Sequence, residues 1–155
     1  MNTVFSFLIL IAFSAAAHSE IMFKDTHGQN TPFSELKGKW VLINYWALWC
    51  ATCIEEIPEF NRFYQKHQHD PVALYAVNYD MLSEREQKKI ISSLHIKYPN
   101  LLHNPAKALR LGDITGVPIT FVFNPKGDLV KTLYGGQTAK MLDKVIAANA
   151  AFGLK

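Results

Sequence analysis

The sequence predicts an α/β fold built on one mixed sheet, and three observations carry that expectation. Val41 to Trp46 and Val72 to Val77 are nearly continuous runs of strand formers, the pattern of parallel strands covered on both faces. Each run is followed by a segment with helical spacing of its apolar residues. Near the C-terminus Ile119 to Phe123, the turn Pro125-Lys126-Gly127-Asp128 and Leu129 to Tyr134 form a strand, turn and strand, which adds a hairpin to the parallel part.

In chain order, Val4 to Ala17 comes first, a run of 14 apolar or small residues ending in Ala15-Ala16-Ala17. A small-x-small site before His18 fits an export signal, so residues 1–17 are expected to be a cleaved signal peptide and 18–155 a single domain. The run is shorter than the roughly 20 residues that span a bilayer. The segment ahead of it, Met1-Asn2-Thr3, holds no Lys or Arg, which leaves an uncleaved membrane anchor as the alternative.

Ile21 to Lys24 with the turn-rich Asp25 to Thr31 predicts a short hairpin, followed by Phe33 to Leu36 and a turn at Gly38. After the first core strand, Ile54, Ile57, Phe60 and Tyr64 recur at spacings of three and four, so a helix starts at Cys50, with a kink expected at Pro58. Ser83 to Leu94 reads as a polar helix with apolar positions at Ile90, Ile91 and Leu94, and its charges form a solvated face. A short strand near Leu101-Leu102, a small helix over Ala106 to Leu111, and a last helix capped by Thr138 and reaching Asn149 complete the pattern.

The formal charge is +3, from 16 basic and 13 acidic residues. The basic residues are scattered and form no stripe, which argues against nucleic-acid binding.

Cys50 and Cys53 are the only cysteines. A disulfide between them would close a ring of four residues and restrain the unfolded chain by only about 2 kcal/mol, a poor return for a structural brace. Positions i and i+3 on a helical turn set the Cα atoms roughly 5 to 6 Å apart, within disulfide range, so the bond can open and close with little backbone movement. That geometry suits electron exchange. Cys50 stands at the helix N-terminus, where unpaired N–H groups and the macrodipole favour a thiolate, and is the expected nucleophile. An unperturbed thiol of pKa near 8.5 is about 3% ionised at pH 7, so a modest lowering raises the reactive fraction. Cys53, one turn on and facing inward, is the resolving thiol. It needs a proton acceptor, and Glu56 is the candidate; as a helix residue beside the exposed Glu55, it has an ordinary surface position as its other reading.

With these elements in order, Trp46-Ala47-Leu48-Trp49-Cys50-Ala51-Thr52-Cys53 resembles the active-site segment of the thioredoxin superfamily. Cys53-Ile54-Glu55-Glu56-Ile57-Pro58 is similar to the exported TlpA, ResA and DsbE type, and Gly116-Val117-Pro118-Ile119-Thr120-Phe121-Val122-Phe123-Asn124-Pro125-Lys126-Gly127 resembles the segment that holds that fold's cis-proline. The resemblance implies a thioredoxin-like fold: a central mixed sheet flanked by helices, an N-terminal β-hairpin, and a TlpA-type insertion over Asp80 to Leu111. It implies a buried carboxylate at Glu56, since the aspartate that thioredoxins proper carry six residues before the first cysteine is here Asn44. It also implies that Pro118 is cis and packs against the cysteine pair, with Val117 offering its N–H and C=O to an extended partner segment. Trp49, Ala51 and Thr52 would belong to the docking surface and tune the potential.

The activity so implied is an exported, periplasmic thiol-disulfide oxidoreductase that reduces partner-protein cysteines, of the cytochrome c or copper-site maturation type. It would use no cofactor beyond the redox-active disulfide Cys50–Cys53. Its partners would be proteins with reactive cysteines and a membrane thiol-electron donor of the DsbD or CcdA type. A disulfide oxidant or isomerase is the alternative within the same chemistry. A copper or zinc carrier and a peroxidase are alternatives outside it. Zinc wants about four ligands and the chain has no second cysteine pair. The six histidines, His18, His27, His67, His69, His95 and His103, are scattered and read as surface or loop residues, so no metal site is expected.

Overall fold

The computed structural model describes residues 20–152. The expected signal segment, 1–17, lies outside the described residues. No helix among the described residues is long and apolar enough to cross a membrane.

The chain begins with a small antiparallel pair, β1 (Met22–Lys24) and β2 (Asn30–Pro32), followed by a 3-10 turn at Phe33–Leu36. Then β3 (Trp40–Trp46) leads into α1 (Ala51–Lys66), and β4 (Val72–Asn78) into α2 (Glu84–Ser93). A two-residue strand, β5 (Asn100–Leu101), is followed by β6 (Ile119–Phe123), β7 (Leu129–Tyr134) and α3 (Ala139–Phe152). The main sheet has the order β5-β4-β3-β6-β7, with β3, β4 and β5 parallel and β6 and β7 antiparallel to their neighbours. This is the mixed sheet that the sequence predicts.

Every residue of β3 is buried, because both faces of the sheet are covered. Trp40, Leu42 and Trp46 face one core with Phe60, Phe63 and Leu142. Val41, Ile43 and Tyr45 face the other, with Phe23, Leu36, Phe121 and Phe123. The alternation follows from the two-residue period of a strand. Burying each of these large side chains stabilises the fold by about 1.5–3 kcal/mol. Asn44 lies on the first face, which directs a polar amide into an otherwise apolar core.

The expected helix over Ala106 to Leu111 is absent; the segment is a series of turns. Leu109 N–H bonds to Pro105 O, but Arg110 adopts φ 54° and Gly112 φ 78°, left-handed conformations that stop a helix from propagating. The strand expected at Leu101-Leu102 lies one residue earlier, because Leu102 N–H is taken by Lys24 O of the N-terminal hairpin at 2.8 Å. Helix α1 continues through Pro58, and α3 runs three residues beyond Asn149. Thr138 does cap α3, its Oγ1 accepting the Met141 N–H at 3.3 Å. Ser83 and Glu86 form a reciprocal capping box on α2, whose charged residues are exposed as expected.

The segment between β4 and β6 adds α2 and the edge strand β5, and it reaches the core of the site. Asn100, fully buried, accepts the Trp46 indole N–H at 3.1 Å and donates to Tyr98 O at 3.0 Å. The last residue of β3 is thereby held from the insertion side.

Candidate active site

Strand β3 ends at Trp46, and Ala47-Leu48-Trp49 carries the chain to α1. The Tyr79 N–H bonds to Trp46 O at 2.8 Å, and Asp80 accepts the Leu48 N–H at 2.8 Å. Cys50 is the N-cap residue of α1, and its sulfur accepts the Cys53 N–H at 3.1 Å. The helix therefore opens with a sulfur where an oxygen usually sits, and this N–H would stabilise negative charge on a Cys50 thiolate.

Cys50 and Cys53 are joined as a disulfide with their Cα atoms 5.2 Å apart, inside the separation expected from sequence. Cys50 keeps 8% of its surface exposed and Cys53 none. An incoming thiolate can therefore approach only at Cys50. The opening is narrow, and its surroundings are apolar: Leu48 is exposed and Trp49 is 68% exposed. Ala51 and Thr52 are exposed on the first turn of α1.

The Val117–Pro118 peptide bond is cis, as the resemblance implies. Val117 O lies 3.6 Å from Cys50 Sγ, a van der Waals contact while the sulfur is in a disulfide and carries no hydrogen. Reduction would give that sulfur a proton to donate to the carbonyl. The Val117 N–H has no hydrogen-bond partner among the described residues. Pro118 O is occupied by the Gly135 N–H at 3.0 Å. A cleft of about 330 Å³ runs along Gly116, Val117 and Pro118 to Thr132 and Tyr134.

Glu56 occupies the buried position that the resemblance implies, at 4% exposure, while Glu55 beside it is exposed. It sits one helical turn beyond Cys53 on the inward face of α1. Its Oε1 accepts from Asn44 Nδ2 at 2.8 Å, and its Oε2 accepts the Gln137 N–H at 3.0 Å. Asn44 Nδ2 also donates to Thr120 Oγ1 at 3.1 Å. Burial pushes the Glu56 carboxyl up from 4.5 to about 7, and the hydrogen bonds from Gln137 and Asn44 oppose that rise without cancelling it. Near neutral pH the group is thus close to half ionised, able to take a proton and to give it back. Tyr98, also buried, is pushed upward by burial and by the Glu56 charge, so its phenol stays neutral.

The sequence pattern of the AhpC/TSA family matches residues 14–132. The chain belongs to that family. It is 32% identical over 119 residues to the thiol-disulfide oxidoreductase ResA of Bacillus subtilis, a match covering 77% of this chain and 66% of that protein. The chain thus spans just under two thirds of that relative's length. Among solved structures, StoA from Bacillus subtilis superposes with a TM-score of 0.68 at 27% identity, covering 79% of this chain and 92% of that one. The exposed lipoprotein thioredoxin of Streptococcus pneumoniae superposes at 0.73 with 22% identity, covering 84% and 99%. The fold of this family member is thioredoxin-like.

Two features of the site are not legible in the local sequence pattern. One is the Gln137 N–H, a backbone group that any residue but proline would supply. The other is the Asn100 link to Trp46, which depends on β5 lying beside β4. Among the described residues, no three His, Cys, Asp or Glu side chains gather as metal ligands would. The reading of every histidine as a simple surface or loop residue needs one correction. His67, at the end of α1, is half-buried, with Nδ1 2.7 Å from Asp70 and Nε2 2.7 Å from Asp143 of α3. It fastens one helix to the other because the ring packs on Phe63 between two carboxylates.

Proposed function

We propose that this protein is an exported thiol-disulfide oxidoreductase that reduces disulfides of particular partner proteins. The observation that carries this reading is the asymmetry of the pair: Cys50 can be reached from outside, while Cys53 is sealed one turn from a buried carboxylate whose pKa is pushed up to about 7.

In the reduced enzyme the Cys50 thiolate attacks one sulfur of a partner disulfide. A Cys50–partner S–S bond forms, the partner's bond breaks, and its leaving thiolate takes a proton from solvent. Cys53 passes its proton to Glu56 and attacks Cys50 Sγ. The mixed disulfide then breaks, the second partner sulfur leaves as a thiolate that takes a proton from solvent, and the Cys50–Cys53 disulfide remains. Two electrons have moved to the partner. The Val117 N–H and C=O, the latter 3.6 Å from Cys50 Sγ, would pair with the partner's extended backbone beside the cis-proline, with Trp49, Ala51 and Thr52 forming the rim.

A membrane thiol donor of the DsbD or CcdA type would return the two electrons, and residues 1–17 would direct export or anchor the chain. Cytochrome c or copper-site maturation is the corresponding role. The relative named a thiol-disulfide oxidoreductase, sharing 32% identity, supports the chemistry.

Partner trapping tests the mechanism. Cys53→Ser should accumulate a covalent complex with its substrate that dithiothreitol dissolves, and Cys50→Ser should accumulate none. Absence of any complex in Cys53→Ser would remove the two-thiol mechanism. Direction is tested by the reduction potential of the pair: a value near about −120 mV, that of a strong oxidant, would rule out a reductant.

A further inference from the structure

The segment Gly135-Gly136-Gln137-Thr138 between β7 and α3, with the first residue of α3, Ala139, is held against α1 at two points. Glu56 Oε2 accepts the Gln137 N–H at 3.0 Å, and Glu59, one turn on, accepts the Ala139 N–H at 3.0 Å. Its two glycines have different reasons to be glycine. Gly135 adopts φ 78°, which a side chain would strain. Gly136 has no such conformation; what it lacks is room. A Cβ built there would stand 2.8 Å from the γ-methyl of Thr52 and 3.9 Å from Glu56 Oε2. The first distance is well inside van der Waals contact, so any side chain would push this segment away from α1 or turn Thr52 aside.

We propose that Gly136 is a positioning residue of the redox site: by carrying no side chain, it lets residues 135–137 lie on Thr52 and deliver the Gln137 N–H to the Glu56 carboxylate. That hydrogen bond favours the ionised carboxylate over the neutral acid, because only the former presents two full acceptors to Asn44 and Gln137. Gly136 thereby helps to set the pH at which Glu56 can take a proton. The other groups packed around the carboxylate leave this control to the two N–H donors. Asn44 on β3 does not titrate; Tyr98, before β5, stays neutral; Cys53 on α1 carries no proton in the disulfide. Glu59, one turn along α1, is paired with Arg62. The effect on exchange rests on the reading of Glu56 as the proton acceptor for Cys53, whereas the effect on the carboxylate does not.

The test is the titration of Glu56 by carboxyl carbon NMR in the oxidised protein, where neither cysteine titrates. Gly136→Ala should move the midpoint upward by about one pH unit, the loss of one hydrogen bond to a charged group. Thr52→Ser removes the γ-methyl while keeping the hydroxyl. Alone it should leave the midpoint within about 0.3 unit of wild type, and combined with Gly136→Ala it should restore the wild-type midpoint, because the clash has lost its partner. An unchanged midpoint in Gly136→Ala would overturn the proposal. So would a fall, which would mean that water entering the gap outweighs the lost N–H, and so would a rise that Thr52→Ser does not reverse. In the reduced protein the pH profile of mixed-disulfide resolution should follow the same midpoints. If that profile is unaltered by Glu56→Gln, the acceptor role fails, while the carboxyl titrations judge Gly136 independently.

Discussion

Replacing Glu56 by Gln should change how stability depends on pH, in a direction that the burial of this carboxyl dictates. Its pKa is about 7 in the folded protein against an ordinary value of 4.5, so the folded state holds the proton more tightly than the unfolded state. Stability from this group is therefore fully present below about pH 4.5 and is lost as the pH rises through 7. Above that both states are ionised, and the loss is constant. Linkage over the two values gives a loss of about 2–3 kcal/mol between pH 5 and pH 8 in the wild type. Glu56→Gln has no ionisation in this range and should not show it. The amide also points an NH₂ at one of the two donors, Asn44 Nδ2 or the Gln137 N–H, which costs about 1–3 kcal/mol at every pH. The variant should accordingly be less stable than wild type at pH 5 and close to it, or more stable, at pH 8. Urea unfolding of both oxidised proteins at the two pH values measures this, and the histidines cancel in the difference. Parallel profiles for the two proteins would refute the buried, proton-binding state of Glu56.

Asn44→Ala removes one donor from the ionised Glu56 and leaves Thr120 Oγ1 without that partner, so the Glu56 midpoint should rise and urea unfolding should show a loss of about 1–3 kcal/mol. Trp49→Ala, at a 68% exposed position, should lower kcat/KM for a trapped partner protein several-fold while leaving Tm within about 2 °C; a loss confined to stability would place Trp49 in the fold instead of the docking rim. Zinc or copper(I) titrated into the reduced protein should find two thiolates without further gathered ligands, and tight stoichiometric binding that Cys50→Ser abolishes would favour the metal carrier.

Much of the fold is written in local pattern. Two continuous runs of strand formers mark β3 and β4, the turn at Pro125 to Asp128 marks the β6 and β7 hairpin, and Ser83 and Thr138 mark helix starts, because each depends on residues a few positions apart. The cysteine pair is legible for the same reason: i and i+3 spacing at a helix start settles its separation without reference to the rest of the chain. At Ala106 to Leu111 local pattern misleads, since the apolar spacing of one turn cannot reveal the left-handed backbone at Arg110.

What surrounds the sulfurs belongs to tertiary structure. Residue types alone leave Glu56 between surface and core; the register of β3 against β6, which sets Asn44 opposite Thr120, and the packing of α1 beneath it are what enclose the carboxylate. Gln137 reaches it from 81 positions away through a backbone N–H that almost any amino acid would carry, and Val117 meets Cys50 through a carbonyl that every residue has. Sequence determines which side chains can do chemistry and how the chain runs locally. Only the assembled sheet decides which peptide groups face them and how much water is left, and in a buried site those two quantities set the proton affinity.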